Sequence, residues 1–302
     1  MKRFAIAGVQ MQVSAFGSNL DKMGNYIAHI KQRFPWVSMV VFSELAGLGP
    51  NPMYAEPMPN DTEARLCELA AQHGLWLVPG SFFEKCDGLV YNTAPVIDPT
   101  GTVIARYRKM FPFRPYEQGI AAGHEFVVFD VPDAGRFGLS ICYDMWFPET
   151  TRTLAAMGAE VILHPTMTDT VDRDIELSIA RASAAMNQVY FIDVNGAGDG
   201  GTGRSIIVDP SGYVLHQAGP GSAEIMPVEI DFAKVRRERE TGLRGLGQPL
   251  KSFRDREVDF AVYRRDSGAD AYLYTLGPLV KPGADPLLDN PLSGPGGAVP
   301  LG

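Results

Sequence analysis

The chain has 302 residues, 45% of them apolar and 21% charged, with a formal net charge of -8. That composition allows a sizeable core, argues against a disordered chain, and suits one large domain or two small ones. Lysine and arginine are scattered rather than clustered, which argues against nucleic acid or an anionic membrane surface as the main partner.

In chain order, residues 4–11 read as a first strand. Two basic residues precede it, but Gln10 and Gln12 interrupt the apolar stretch, so a secretion signal is not expected. No apolar run reaches the roughly 18 residues of a membrane span. The expected compartment is the cytoplasm, with Cys67, Cys86 and Cys142 as reduced thiols and the sequon Asn60-Asp61-Thr62 unused. Residues 19–34 carry Leu20, Met23, Ile27 and Ile30 at helical spacing, and 37–42 form a continuous apolar strand. A helix over 61–73 has Asp61 or Thr62 to cap it and Gly74 to end it. Strands come next at 75–83, 90–97 and 103–108, the last two joined by the turn Asp98-Pro99-Thr100-Gly101.

The second half repeats the alternation. Strands are expected at 137–141, 161–163, 189–194, 204–208 and 213–216, and helices at 148–157 and 173–187. Lys234, Arg236, Arg237 and Arg239 interleave with Glu238 and Glu240, the pattern of a solvated helix face. Beyond about 241 periodicity is lost. Residues 241–302 are expected to form an extended arm, because Phe253, Phe260, Tyr263, Tyr272 and Tyr274 are too aromatic for a free tail. The arm would pack on its own body, residues 1–240, or on a second subunit, with the last dozen residues disordered. The alternation throughout predicts an α/β layered fold.

Three apolar strands end in a reactive residue and then break into a loop, at Ser43-Glu44, at Lys109 and at Cys142-Tyr143-Asp144. Ligands of open α/β sheets bind beyond the carboxyl ends of strands, so the three could face one pocket. A carboxylate, an ammonium and a thiol are a working set for acyl transfer. Lys109 would favour the thiolate of Cys142 and stabilise an oxyanion; Glu44 would move the protons. The Tyr143 backbone N–H, between a strand and a Pro-opened helix, would be a second oxyanion donor. Cys67 falls on the apolar face of its helix and Cys86 in an exposed turn, so neither competes as nucleophile. Gly196-Ala197-Gly198-Asp199-Gly200-Gly201 matches a dinucleotide fingerprint, but residues 205–208 after it are strand-like, which disfavours NAD and suggests a loop at the pocket mouth. The five histidines lack ligand spacing, so neither metal nor cofactor is expected.

These segments resemble the nitrilase, or carbon-nitrogen hydrolase, superfamily over roughly residues 3 to 235. The resemblance rests on Tyr107-Arg108-Lys109, on the Glu117…Gly123…Phe126 stretch and on the run from Ile141 through Cys142-Tyr143-Asp144 to Glu149. His164-Pro165-Thr166, Arg181 with Asn187 and Asn195, and Gly203 to Gly212 add to it. It implies a four-layer αββα sandwich, a Glu44-Lys109-Cys142 triad and dimerisation through helices near the active site. It also implies a second glutamate, Glu117, beside Lys109; the alternative for Glu117 is an ion pair with Arg114 or Arg108. The chain departs from the pattern at Met186, where the family often has Glu, and at Trp146, where related amidases often carry Arg.

Family members cleave primary amides, N-carbamoyl compounds or nitriles. True nitrilases tend to carry Cys-Trp-Glu where this chain has Cys-Tyr-Asp, which favours amide or carbamoyl cleavage. Carboxylate-bearing substrates need an arginine, so Trp146 suggests an apolar acyl group, with Tyr54, Phe113, His164 and Met167 as further substrate contacts. An inward-pointing Arg114 would bring an acidic substrate back. The expected activity is hydrolysis of a small primary amide by a homodimer or larger homo-oligomer. The rival from another class is a catalytically silent binding protein, against which the intact trio argues.

Overall fold

The computed structural model describes residues 4–264 and 266–281. Two sheets stack face to face. The first runs Glu224–Ile230, Phe4–Gln10, Met39–Phe42, Trp76–Val78, Leu89–Ile97 and Phe82–Cys86, with Val103–Arg108 also paired to Leu89–Ile97. The second runs Val214–Gln217, Ile206–Val208, Tyr190–Asn195, Val161–Thr166, Gly135–Leu139 and Val127–Val131. The central strands of each are parallel, Phe4–Gln10 with Met39–Phe42 and Trp76–Val78, and Gly135–Leu139 with Val161–Thr166 and Tyr190–Asn195.

Strand periodicity explains the layers. Successive side chains point to opposite faces, so a strand buried on both sides is apolar throughout. Ile6, Met39 and Val41 face inward against Phe137, Leu139, Leu163 and Ile192 of the second sheet. Their neighbours Ala7, Val9, Val40 and Phe42 face outward, under Met23, Ile27, Leu66 and Leu69 of the helices Leu20–Arg33 and Asp61–His73. On the other side Ile162, Phe191 and Ile206 meet Leu154, Leu177, Ala180 and Ala184 of Pro148–Ala156 and Asp172–Asn187. This is the αββα sandwich. Among the described residues no helix is long and apolar enough to cross a membrane.

Several local expectations change. The expected strand over 75–83 is two strands, Trp76–Val78 and Phe82–Cys86, broken at Gly80. Gly80 has φ +83°, and a Cβ there would lie 1.8 Å from the carbonyl oxygen of Ser43. The backbone turn before Glu44 therefore leans on a bare glycine. The cap of Asp61–His73 is Asn60, whose side chain accepts from the Glu63 N–H at 2.9 Å. The glycine loop after Asn195 does not line the cavity that holds Cys142. Ala197–Gly198 pairs instead with Gln12–Val13, and Asp199 accepts from the Ala15 N–H. The strand Glu224–Ile230 was not expected, since Pro227 and the acidic Glu224 and Glu229 hide its alternation at a sheet edge. Past Thr241 the chain is not simply extended. A helix, Pro249–Asp255, sets Leu250 against the outer core, and the Tyr263 hydroxyl donates to Glu149 at 2.6 Å. The expectation of a disordered end at 291–302 lies outside the described residues.

Gly80→Ala should destabilise the protein by at least about 3 kcal/mol, since it adds a backbone clash to left-handed strain. Gly88→Ala, at φ +77° with open space around it, should cost only about 1 kcal/mol. Equal melting temperatures for the two variants would show that the Ser43 contact is not a constraint.

Candidate active site

The reactive residues converge at one end of the sandwich, where parallel strands of both sheets finish. Glu44 follows Met39–Phe42, Lys109 follows Val103–Arg108, and Cys142 follows Gly135–Leu139 by three residues. The Glu44 N–H donates to the Thr166 carbonyl at 3.2 Å, which ties the first sheet to the second at this point. All three lie in the wall of a cavity of about 580 Å³.

Lys109 is 1% exposed and donates from Nζ to Glu44 Oε1 at 2.8 Å and to Glu117 Oε2 at 2.9 Å. Burial alone would lower its pKa, but the charges of Glu44, Cys142 and Glu117 outweigh it and hold the ammonium well above its ordinary range. Burial raises the Glu44 carboxyl, against the pull of Lys109. Asn92 braces the pair: its side chain donates to Glu44 Oε1 at 2.7 Å, and its carbonyl accepts the Lys109 backbone N–H at 2.8 Å. Among the described residues Glu44 Oε2 has no hydrogen-bond partner.

Cys142 is 8% exposed. Burial and the Glu44 charge push its thiol well up, and Lys109 opposes them. Its Sγ lies 3.8 Å from the Met167 carbonyl oxygen and 3.9 Å from Thr168 Oγ1. Its φ is +46°, a left-handed conformation unusual for a residue with a Cβ. The next residue, Tyr143, lies in the 3-10 turn Cys142–Trp146, whose first N–H groups have no partner within the turn. The Tyr143 ring packs on Phe113, Trp146 and Phe147.

Glu117 faces Lys109 and accepts the Phe113 N–H, so among the described residues its carboxylate pairs with the lysine and not with Arg108 or Arg114. Arg108 instead grips Glu84, and Arg114 donates to the backbone carbonyls of Glu117 and Ile120. Arg114 thus clamps its own loop and is absent from the cavity wall.

Of the expected substrate contacts, Phe113, Trp146 and Met167 line the cavity, and Tyr54 and His164 do not. Tyr54 ends the 3-10 turn Pro52–Tyr54, which turns Pro52 to the cavity and leaves Tyr54 outside its wall. His164 sits in the middle of a buried strand, fully enclosed, with Nδ1 2.7 Å from Ser140 Oγ. Burial pushes its pKa down to about 4, so the ring is neutral.

Sequence reasoning missed Asn92, Thr168 and Glu176. Glu176 lines the cavity and accepts from Thr168 Oγ1 at 3.0 Å and from Trp146 Nε1 at 3.4 Å. Buried Arg173 balances it at 3.1 Å and reaches Asp193 at 2.8 Å. Two signals were present: a lone Asn inside the apolar strand Leu89–Ile97, and a Glu on the Leu177, Ala180, Ala184 stripe of its helix. Thr168, in a loop, offers no such signal.

The sequence pattern of the carbon-nitrogen hydrolase family matches residues 4–240. The chain is 30% identical to the omega-amidase NIT2 of Homo sapiens over 260 residues, 80% of this chain and 93% of that protein. The crystal structure of Nit3 from Saccharomyces cerevisiae, a member of branch 10 of the nitrilase superfamily, superposes with a TM-score of 0.72 at 27% identity. That match covers 79% of this chain and 94% of the yeast chain. An amidase of the same superfamily from Nesterenkonia sp. AN1 matches at 0.70 and 25%, covering 78% of this chain and 94% of the other. The matched structure is a variant holding the acetamide moiety of fluoroacetamide covalently on its active-site cysteine.

His164 provides a test of the buried site. The unfolded chain takes up a proton near 6.5, where the folded chain does not until about 4. Stability from the neutral ring is therefore full above 6.5 and falls as pH drops towards 4, by roughly 3 kcal/mol in total. Urea midpoints at pH 7 and pH 5 should fall further for the wild type than for His164→Asn. Parallel losses in both would show that His164 titrates normally.

Proposed function

Because the chain belongs to the carbon-nitrogen hydrolase family and is an amidase-type hydrolase of the nitrilase superfamily, we propose that it cleaves small primary amides with an aliphatic or aromatic acyl part. The products are a carboxylic acid and ammonia.

In this reading Cys142 Sγ attacks the amide carbon while Glu44 takes the thiol proton on its unpartnered Oε2. Its other oxygen, Oε1, stays bound to Lys109 and Asn92, so the base keeps its position. The tetrahedral oxyanion is held by the Lys109 ammonium and the Tyr143 N–H. When it collapses, the C–N bond breaks and Glu44 returns the proton to the nitrogen, releasing ammonia and leaving a thioester on Cys142. Water then attacks the thioester, Glu44 takes a proton from it, and the acid and the free thiol are restored. Glu117 holds Lys109 in place throughout from its other side.

The observation that carries the substrate class is the charge of the wall. Among the described residues lining the cavity Lys109 is the sole Lys or Arg, and it is already shared by two carboxylates. Asp169 and Asp172 add negative charge, while Phe113, Tyr116, Tyr143 and Trp146 supply apolar surface. A carboxylate on the acyl group would meet repulsion and no arginine. The omega-amidase and N-carbamoyl alternatives are disfavoured to the extent that their substrates carry one. We assign the protein to the cytoplasm as a homo-oligomer acting on a small molecule. The exposed Phe253, Phe260, Tyr272 and Tyr274 support an arm that a second subunit covers. Truncation after residue 245 should then lower the mass in solution; an unchanged mass would refute that role.

Ammonia release from neutral amides, carboxylate-bearing amides, N-carbamoyl compounds and nitriles tests the reading. The neutral amides should be preferred and Cys142→Ala should abolish release. Trp146→Arg should raise kcat/KM for carboxylate-bearing amides by about tenfold or more, the worth of one charge-assisted contact. Ammonia that persists in Cys142→Ala, or an acidic amide preferred by the wild type, would overturn it.

A further inference from the structure

Asp144 does not line the cavity, yet it is fully buried and its carboxylate is saturated with donors. Oδ2 accepts from the Tyr107 hydroxyl at 2.6 Å and from the Ile141 N–H at 2.8 Å; Oδ1 accepts from the Phe111 N–H at 2.8 Å. The placement of these donors is what matters. Tyr107 and Phe111 stand two residues before and two after Lys109. Ile141 immediately precedes Cys142. Lys109 follows a strand of the first sheet and Cys142 follows a strand of the second.

We propose that Asp144 is the positioning residue that sets Lys109 against Cys142 across the two sheets. The proposal rests on the amidase reading of these residues and extends it to a group that touches no substrate. One rigid carboxylate brackets the lysine on both sides and pins the backbone entering the nucleophile's left-handed turn. Hydrogen bonds to an ionised acceptor are about twice as strong as neutral ones, and two of these donors are backbone groups that cannot swing away. The carboxylate itself is buried against a cost: burial pushes its pKa up to about 6 despite Tyr107, Ile141, Phe111 and the charge of Lys109. A neutral asparagine cannot substitute. Phe111 and Ile141 present N–H groups to different oxygens, so in either orientation the amide NH2 would face one of them.

The test uses the full-length chain and two variants, Asp144→Asn and the milder Tyr107→Phe, which removes one donor and leaves both backbone bonds. Val235→Ala, a buried change elsewhere in the core, controls for lost stability. Alkylation of Cys142 by iodoacetamide is followed against pH by peptide mass, which separates it from Cys67 and Cys86. Losing the register with Lys109 removes the charge that opposes the rise in the thiol's pKa. In both variants the alkylation midpoint should move up by about one pH unit. Turnover should fall about tenfold or more with KM within about twofold, the pattern of misplaced reacting groups. If Asp144→Asn does not fold, Tyr107→Phe decides. A folded Tyr107→Phe with an unmoved alkylation midpoint and unchanged kcat, or one that merely melts earlier as Val235→Ala does, overturns the proposal. Alkylation requires no substrate: a wild type that hydrolyses no amide would refute the functional reading while the alkylation profile still decides on Asp144.

Discussion

One buried ammonium organises this molecule. Lys109 Nζ is held between Glu44 and Glu117 at 2.8 and 2.9 Å with almost no access to water. Each ion taken out of water costs several kcal/mol after relaxation, and only close, hydrogen-bonded partners offset it. The trio must therefore form together. Removing one member leaves the others as uncompensated charges in a low dielectric. Asn92 extends the arrangement by fixing both the side chain of Glu44 and the backbone of Lys109.

The sandwich makes this arrangement reachable. Parallel strands in both sheets end on the same side, so residues far apart in the chain arrive at one place from two layers. The packing between the layers, Ile6, Met39 and Val41 against Leu139 and Leu163, is apolar and indifferent to chemistry. Polar contacts also join the layers at the reactive end, where the Glu44 N–H meets Thr166 and Asp144 meets Tyr107. A second buried set, Arg173 with Glu176 and Asp193, anchors the first turn of the helix Asp172–Asn187 and with it the far wall of the cavity.

Much of this was legible in the amino-acid order, for physical reasons. A continuous apolar run that stops at Glu44, Lys109 or Cys142 marks a doubly buried strand opening onto a loop, and strand ends are where α/β folds place ligands. The layers come from the same periodicity. The lining residues were harder. Tyr54 and His164 have side chains suited to a pocket, but backbone direction keeps one outside the wall and encloses the other. Alternation within Val161–Thr166 was hidden because all six of its residues are buried. Glu224–Ile230 escaped because an edge strand tolerates Pro227 and most of its residues are only partly buried. Trp76–Val78 and Phe82–Cys86 look like one strand in the sequence because the break between them is set by Ser43. That residue lies far upstream of Gly80, and no local pattern carries such a contact.

The left-handed backbone at Cys142 has a consequence for how the protein trades stability against chemistry. A residue with a Cβ held at φ +46° carries about 1 kcal/mol of strain that glycine would not. Drift towards greater robustness alone would favour glycine at this position. On the proposed mechanism glycine would remove the nucleophile, so a lineage released from selection for turnover would gain durability by the same substitution that silences it.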